Sequence, residues 1–175
     1  MKTTAALGCI GALTAAGLAL VPAAAAQPQM PDLDHYAAVN THDYWVPIPT
    51  SGYNGAVTSV QFNTPAGQNC QIMINTRGEW DTATCTGPIP GISQNTATAS
   101  YLEAGTFRNS ASSSAQSKLL PAGHKIVFTV EPWTGTCAVD QAMTACVVNT
   151  LPEPGDSSPP TPHGFVLGPD TSSTF

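Results

Sequence analysis

The chain has 175 residues, of which 42% are hydrophobic and only 9% charged, with 5 Lys/Arg against 11 Asp/Glu and a net charge of −6. A surface this acidic and this poor in cations repels phosphate backbones and anionic lipid, which argues against nucleic acid and membrane surfaces as partners. Solubility must instead rest on the abundant Thr, Ser, Asn and Gln.

The first 26 residues read as a removable signal peptide. Met1-Lys2 gives a short positive start, Ala5 to Val21 an apolar run, and Pro22 a break before the A-x-A site Ala24-Ala25-Ala26. Cys9 has only eight residues before it, too few for a lipidation signal, and is expected to leave with the segment. No later run approaches the roughly 20 apolar residues that a spanning helix needs, so no integral membrane association is expected. Cleavage would leave 149 residues, one ordinary domain, and removal of Lys2 lowers the charge to −7. The expected division is a signal peptide over 1–26, a flexible leader over 27–35, a β domain over 36–150 and a Pro-rich tail over 151–175.

Within Leu33 to Val39 a short helix fits the pattern. Beyond it, period two dominates. Val60 and Phe62 alternate with Ser59 and Gln61, and Asn63-Thr64-Pro65-Ala66-Gly67 then reverses the chain. Cys70 and Cys85 follow at a spacing that suits the two arms of one hairpin. Pairing them centres a turn between Arg77 and Gly78, inside Asn75-Thr76-Arg77-Gly78, which carries the Asn and Gly of tight reversals. Ile72 then faces Ala83, so Cys70, Ile72, Ala83 and Cys85 share one side.

A further strand is expected over Ala97 to Leu102, followed by a Ser/Ala-rich loop over Asn109 to Ser117. Leu120-Pro121-Ala122-Gly123 feeds the clearest strand, Lys125 to Glu131, with Ile126, Phe128 and Val130 on one side, and Pro132 ends it. Cys137 and Cys146 repeat the hairpin logic, with a turn between Gln141 and Ala142 and Val139 opposite Thr144. In an exported chain four cysteines form disulfides, and facing residues in a hairpin meet the geometric requirement, so the expected bridges are Cys70–Cys85 and Cys137–Cys146. Neither pair has the C-x-x-C spacing of a zinc ribbon. Pro152, Pro154, Pro159, Pro160 and Pro162 keep the tail extended, and Phe165-Val166-Leu167 is expected to dock as a last edge strand. Many short strands separated by Pro, Gly and Asn turns predict an all-β fold, a small disulfide-stapled β-sandwich or barrel of antiparallel strands.

The run Phe62-Asn63-Thr64-Pro65-Ala66-Gly67-Gln68-Asn69-Cys70-Gln71-Ile72 resembles the F-x-[ST]-P-[SA]-G-x-x-C-x-[IM] signature of small exported actinobacterial proteins, many of them mycobacterial. The resemblance covers Val57 to Cys85 well and Leu120 to Cys146 loosely. Gln68-Asn69 stands where many members read Asn and an apolar residue. It implies a secreted β domain in a cell-envelope setting and carries over no catalytic residues, the group being mostly without assigned activity.

The chemistry-bearing residues are sparse. His35, His42 and Asp43, with Asp32 and Asp34 nearby, are weak metal candidates in a spacing that matches no recognised array, and surface histidines explain them better. Gly91-Ile92-Ser93-Gln94-Asn95 fails the G-x-S-x-G pattern at its last position, and Ser112 to Ser114 fit loop composition. Glu79, Asp81, Glu103 and Glu131 include no marked carboxylate pair. No catalytic residue and no cofactor is expected, and the reading leans away from an enzyme.

Aromatic residues offer the better route. Tyr36, Tyr44, Trp45 and Tyr53 precede the first cysteine, and Trp80 and Trp133 flank turns. Exposed on one face they could stack on sugar rings while Asn and Gln bind hydroxyls; alternatively, a domain this small needs its large aromatics for a core. Trp80, Trp133, Trp45 and Tyr44 are the candidate ligand-binding residues, with Trp80 expected on the side away from its disulfide. The leading expectation is a secreted or cell-wall-associated binding or adhesion module for a glycan or an envelope protein. A purely structural, antigen-like secreted protein comes second and an envelope hydrolase third.

Overall fold

The computed structural model describes residues 30–47, 57–75, 82–111, 117–151 and 161–175. Two six-stranded sheets pack face to face as a sandwich. Sheet I is an antiparallel meander of β2 (Trp45–Pro47), β3 (Val57–Asn63), β4 (Asn69–Asn75), β5 (Thr82–Thr86), β6 (Thr96–Ser100) and β7 (Thr106–Arg108). Sheet II runs β1 (Ala37–Ala38), β8 (His124–Val130), β9 (Trp133–Val139), β10 (Thr144–Thr150), β11 (His163–Leu167) and β12 (Ser172–Thr174). All its pairings are antiparallel except that of β1 with β8. The signal segment, the turn at Arg77-Gly78, Tyr53, Glu79, Trp80, Asp81, Ser112 to Ser114 and the prolines from Pro152 to Pro160 lie outside the described residues.

Both cysteine registers are as the hairpin arithmetic requires. Cys70 faces Cys85 with Ile72 opposite Ala83, and Cys137 faces Cys146 with Val139 opposite Thr144. Each bridge joins Cα atoms 4.1 Å apart, the short spacing of the non-hydrogen-bonded positions in an antiparallel ladder. All four cysteines are fully buried, one bridge in each sheet, and Cys85 Sγ lies 4.0 Å from Cys146 Sγ across the interface. Neither sulfur carries a proton, so this is van der Waals packing and not a hydrogen bond. Two clips that are local in sequence thus meet in the middle of the core.

Around them the inner faces alternate as buried strands should. Val60, Phe62, Ile72, Ile74, Ala97 and Ala99 come from sheet I, and Ile126, Phe128, Val139, Val148, Phe165 and Leu167 from sheet II. Small residues let the layers approach. A Cβ on Gly135 of β9 would stand 2.5 Å from Ile72 Cγ2 of β4.

The Thr64-to-Cys70 segment shows what its signature residues do. The turn closes through Thr64 N donating to Gln68 O (2.9 Å) and Gly67 N donating to Thr64 O (3.0 Å), with Gly67 at φ 87. The buried Gln68 carboxamide donates to Pro88 O (2.8 Å) and accepts from Thr144 Oγ1 of the other sheet (3.0 Å). A buried amide so fully used locks a sheet I turn onto sheet II.

Several elements differ from expectation. The strand expected over Ala97 to Leu102 is β6, which spans Thr96–Ser100 and stops before Leu102, because Ser100 N bonds Glu103 O in a hairpin leading to β7. β9 begins at Trp133, reached from β8 by a two-residue turn with a cis Glu131–Pro132 bond. Phe165-Val166-Leu167 are not the edge: β11 lies between β10 and β12, buried on both sides. The helix over Leu33 to Val39 is a single 3₁₀ turn, Leu33–His35, capped by Asp32 Oδ1 accepting from Asp34 N (3.0 Å), and the chain then extends into β1.

Candidate functional site

A second 3₁₀ turn, Thr41–Tyr44, carries most of the candidates. Asn40 Oδ1 caps it by accepting from His42 N (3.2 Å), Thr41 Oγ1 donates to Val127 O of β8 (2.8 Å), and Tyr44 OH donates to Leu119 O (3.1 Å). The turn therefore carries the chain from sheet II to β2, on one side of the sandwich, and fixes the direction of each side chain on it. Tyr44 points inward, only 4% exposed, and packs with the core. Burial pushes its phenol up, with Lys118 opposing and Asp43 reinforcing the shift.

Trp45 turns the other way and is 51% exposed. The His42 ring stacks against it at 4.4 Å between centroids, tilted by 40°. Asp43 Oδ2 accepts from Lys118 Nζ at 3.0 Å, a bond that raises the Lys118 pKa, and the same ammonium sits 4.8 Å from the centroid of the Tyr44 ring. Asp43, Tyr44, Trp45, Gln61, Ser117 and Lys118 line a shallow depression of about 300 Å³. An indole at its rim, an ion pair and an amide within it offer one apolar face and several hydrogen-bonding groups to a small polar ligand.

The other candidates do not join this arrangement. Trp133 is half-buried against the core, its ring 5.9 Å from that of Tyr101, and forms part of the sandwich wall. The metal candidates face different partners. His35 Nδ1 lies 3.1 Å from Asp32 Oδ2, His42 stacks on Trp45, and Asp43 holds Lys118. Among the described residues no three His, Cys, Asp or Glu side chains come together to hold an ion. Glu103 and Glu131 sit in the hairpin turns of different sheets, and Ser93 Oγ donates to Gln94 Oε1 (3.2 Å).

A third feature lies at the 3₁₀ turn before β1. Tyr36 OH donates to Asp140 Oδ2 at 2.7 Å beside a cavity of about 350 Å³. Burial first, then the hydrogen bond and charge of Asp140, push the Tyr36 phenol up to about 12. The cavity offers Asp32, His35 and Asp140 but no exposed aromatic face.

The sequence pattern named Trp45 but missed Gln61, Ser117 and Lys118. Lys118 had one available signal, namely that in a chain with five Lys/Arg each cation is a scarce resource. No protein-family model matches the chain, and neither a curated protein nor a solved structure matches it.

Proposed function

We infer that this protein is an exported, non-catalytic binding module that recognises a glycan of the cell envelope through the Trp45 depression. The observation that carries the reading is Trp45 itself: a large aromatic half out of the surface, held by His42, beside a hydrogen-bonding cleft. A solvent-facing indole offers a flat apolar face that sugar rings can cover, while Asp43, Lys118 and Gln61 are placed for hydroxyls. The compartment supports it. Two buried disulfides belong to an oxidising, extracytoplasmic setting, and among the described residues no helix is long and apolar enough to cross a membrane. The resemblance of Phe62 to Ile72 to exported actinobacterial proteins points to the envelope, and the acidic charge favours an uncharged partner over a polyanion.

The test is retention of the purified protein on isolated cell wall. Release by soluble sugar, with at least tenfold weaker retention of Trp45→Ala at unchanged melting temperature, is the expected result; tenfold corresponds to about 1.4 kcal/mol. Retention that no sugar displaces would assign the surface to a protein partner instead.

A further inference from the structure

The outer face of sheet I extends the depression across the whole sheet. Register places Gln61 opposite Gln71, Gln71 opposite Thr84, Thr84 opposite Thr98 and Thr98 opposite Thr106. Five amide and hydroxyl side chains from five successive strands thus form one row at right angles to the strands, about 19 Å long at the usual spacing between strands. Gln61 is shared with the Trp45 depression, and the other four line a second, larger groove of about 360 Å³.

Two properties separate this row from an ordinary solvated surface. It contains no charge, although exposed sheets are commonly kept soluble by charged side chains. Its capacity is also largely unspent. Thr84 and Thr98 share a hydrogen bond (2.9 Å), but among the described residues no side-chain hydrogen bond engages the Gln61 amide, the Gln71 amide or the Thr106 hydroxyl. The neighbouring row behaves oppositely: Asn69 Nδ2 donates to Asn63 Oδ1 (2.8 Å), and the Thr86 and Thr96 hydroxyls pair (3.2 Å).

The geometry points to an extended site for a linear, uncharged polysaccharide that enters at the Trp45 depression, where Trp45 stands on edge strand β2 opposite the inward-facing Val60, and then lies across the strands of the outer face, with the Gln61–Gln71–Thr84–Thr98–Thr106 row reading its hydroxyls. This assignment rests on the Trp45 reading and adds the ligand's class, length and direction. A chain of repeating hydroxyls meets one neutral polar side chain per strand, whereas a polyanion would find the groove's cation, Arg108, accompanied by the carboxylate Glu103, and Lys118 at the other end already held by Asp43.

Calorimetric titration of the full mature chain with neutral oligomers of two and six units, of glucose and of N-acetylglucosamine, tests it against a galacturonate hexamer. At least one neutral hexamer should bind tenfold or more tighter than its dimer, and the galacturonate should bind more weakly. The double variant Gln71→Ala/Thr106→Ala, both positions on the outer face, should remove most of the hexamer's advantage and leave dimer affinity and melting temperature unchanged; Trp45→Ala should weaken both lengths. Equal affinity for dimer and hexamer, lost in Trp45→Ala and insensitive to the double variant, would overturn the extended site while leaving the Trp45 reading standing. A preference for galacturonate would overturn the assignment to an uncharged chain. No binding of any oligomer would remove both.

Discussion

The two sheets present the same chemistry inward and opposite chemistry outward. Each places a buried cystine at the middle of its inner face, flanked by small and branched apolar residues. Outward, sheet I aligns Gln61, Gln71, Thr84, Thr98 and Thr106, whereas on the other side of sheet II one row, Lys125, Ala138, Ala145, Val166 and Ser173, is apolar and buried at its three central positions, and the next runs Val127, Thr136, Val147, Gly164. The inner pattern is what any sandwich needs. The outer pattern is free to vary, so its asymmetry is where a ligand preference can be written.

The strongest way to break the inward equivalence is through sulfur. Replacing Cys70 and Cys85 together by Ala should cost about 3 kcal/mol, and replacing Cys137 and Cys146 roughly 2.5, since the closed loops span separations of 15 and 9 residues. Urea unfolding of both variants measures this, and equal or inverted losses would show that packing at the contact between the bridges, not loop length, decides. Next comes the fit between the layers. Gly135→Ala sets a methyl against Ile72 and should cost about 1–3 kcal/mol, a penalty that Ile72→Ala in the same chain should abolish in a double-mutant cycle.

The smallest effect belongs to Tyr36. Its phenol is held above the ordinary 10 and near 12, so the folded state keeps the proton that the unfolded chain releases first. Its contribution is complete below pH 10 and disappears as the pH rises towards 12. Alkaline melting curves of wild type should fall more steeply over that window than those of Tyr36→Phe.

How much of this could be read from sequence depended on the range of the interactions. The cysteine hairpins were legible because facing residues obey a fixed register and period two decides which side each takes. β8 was legible from Ile126, Phe128 and Val130 for the same reason. β1, β7 and β12 span two or three residues, too few for any period to show. Phe165 to Leu167 read as an edge because nothing in the local pattern announces that Ser172–Thr174 will cover their far side. Tyr44 and Trp45 are neighbours of similar character, and only the 3₁₀ turn between two sheets sends one inward and the other out. Lys118 reaches Asp43 from 75 positions away, and Thr144 reaches Gln68 from 76. No local pattern contains contacts of that kind.

Because both bridges lie within a sheet, neither crosses from one layer to the other. A force that opens either cysteine hairpin works against a covalent bond, while a force that peels the layers apart meets apolar contact and non-covalent links such as the Gln68–Thr144, His163–Ser100 and Ser172–Pro90 hydrogen bonds. If the proposed site on sheet I holds the protein to a wall, a pull on sheet II therefore separates the layers before it opens either cysteine hairpin.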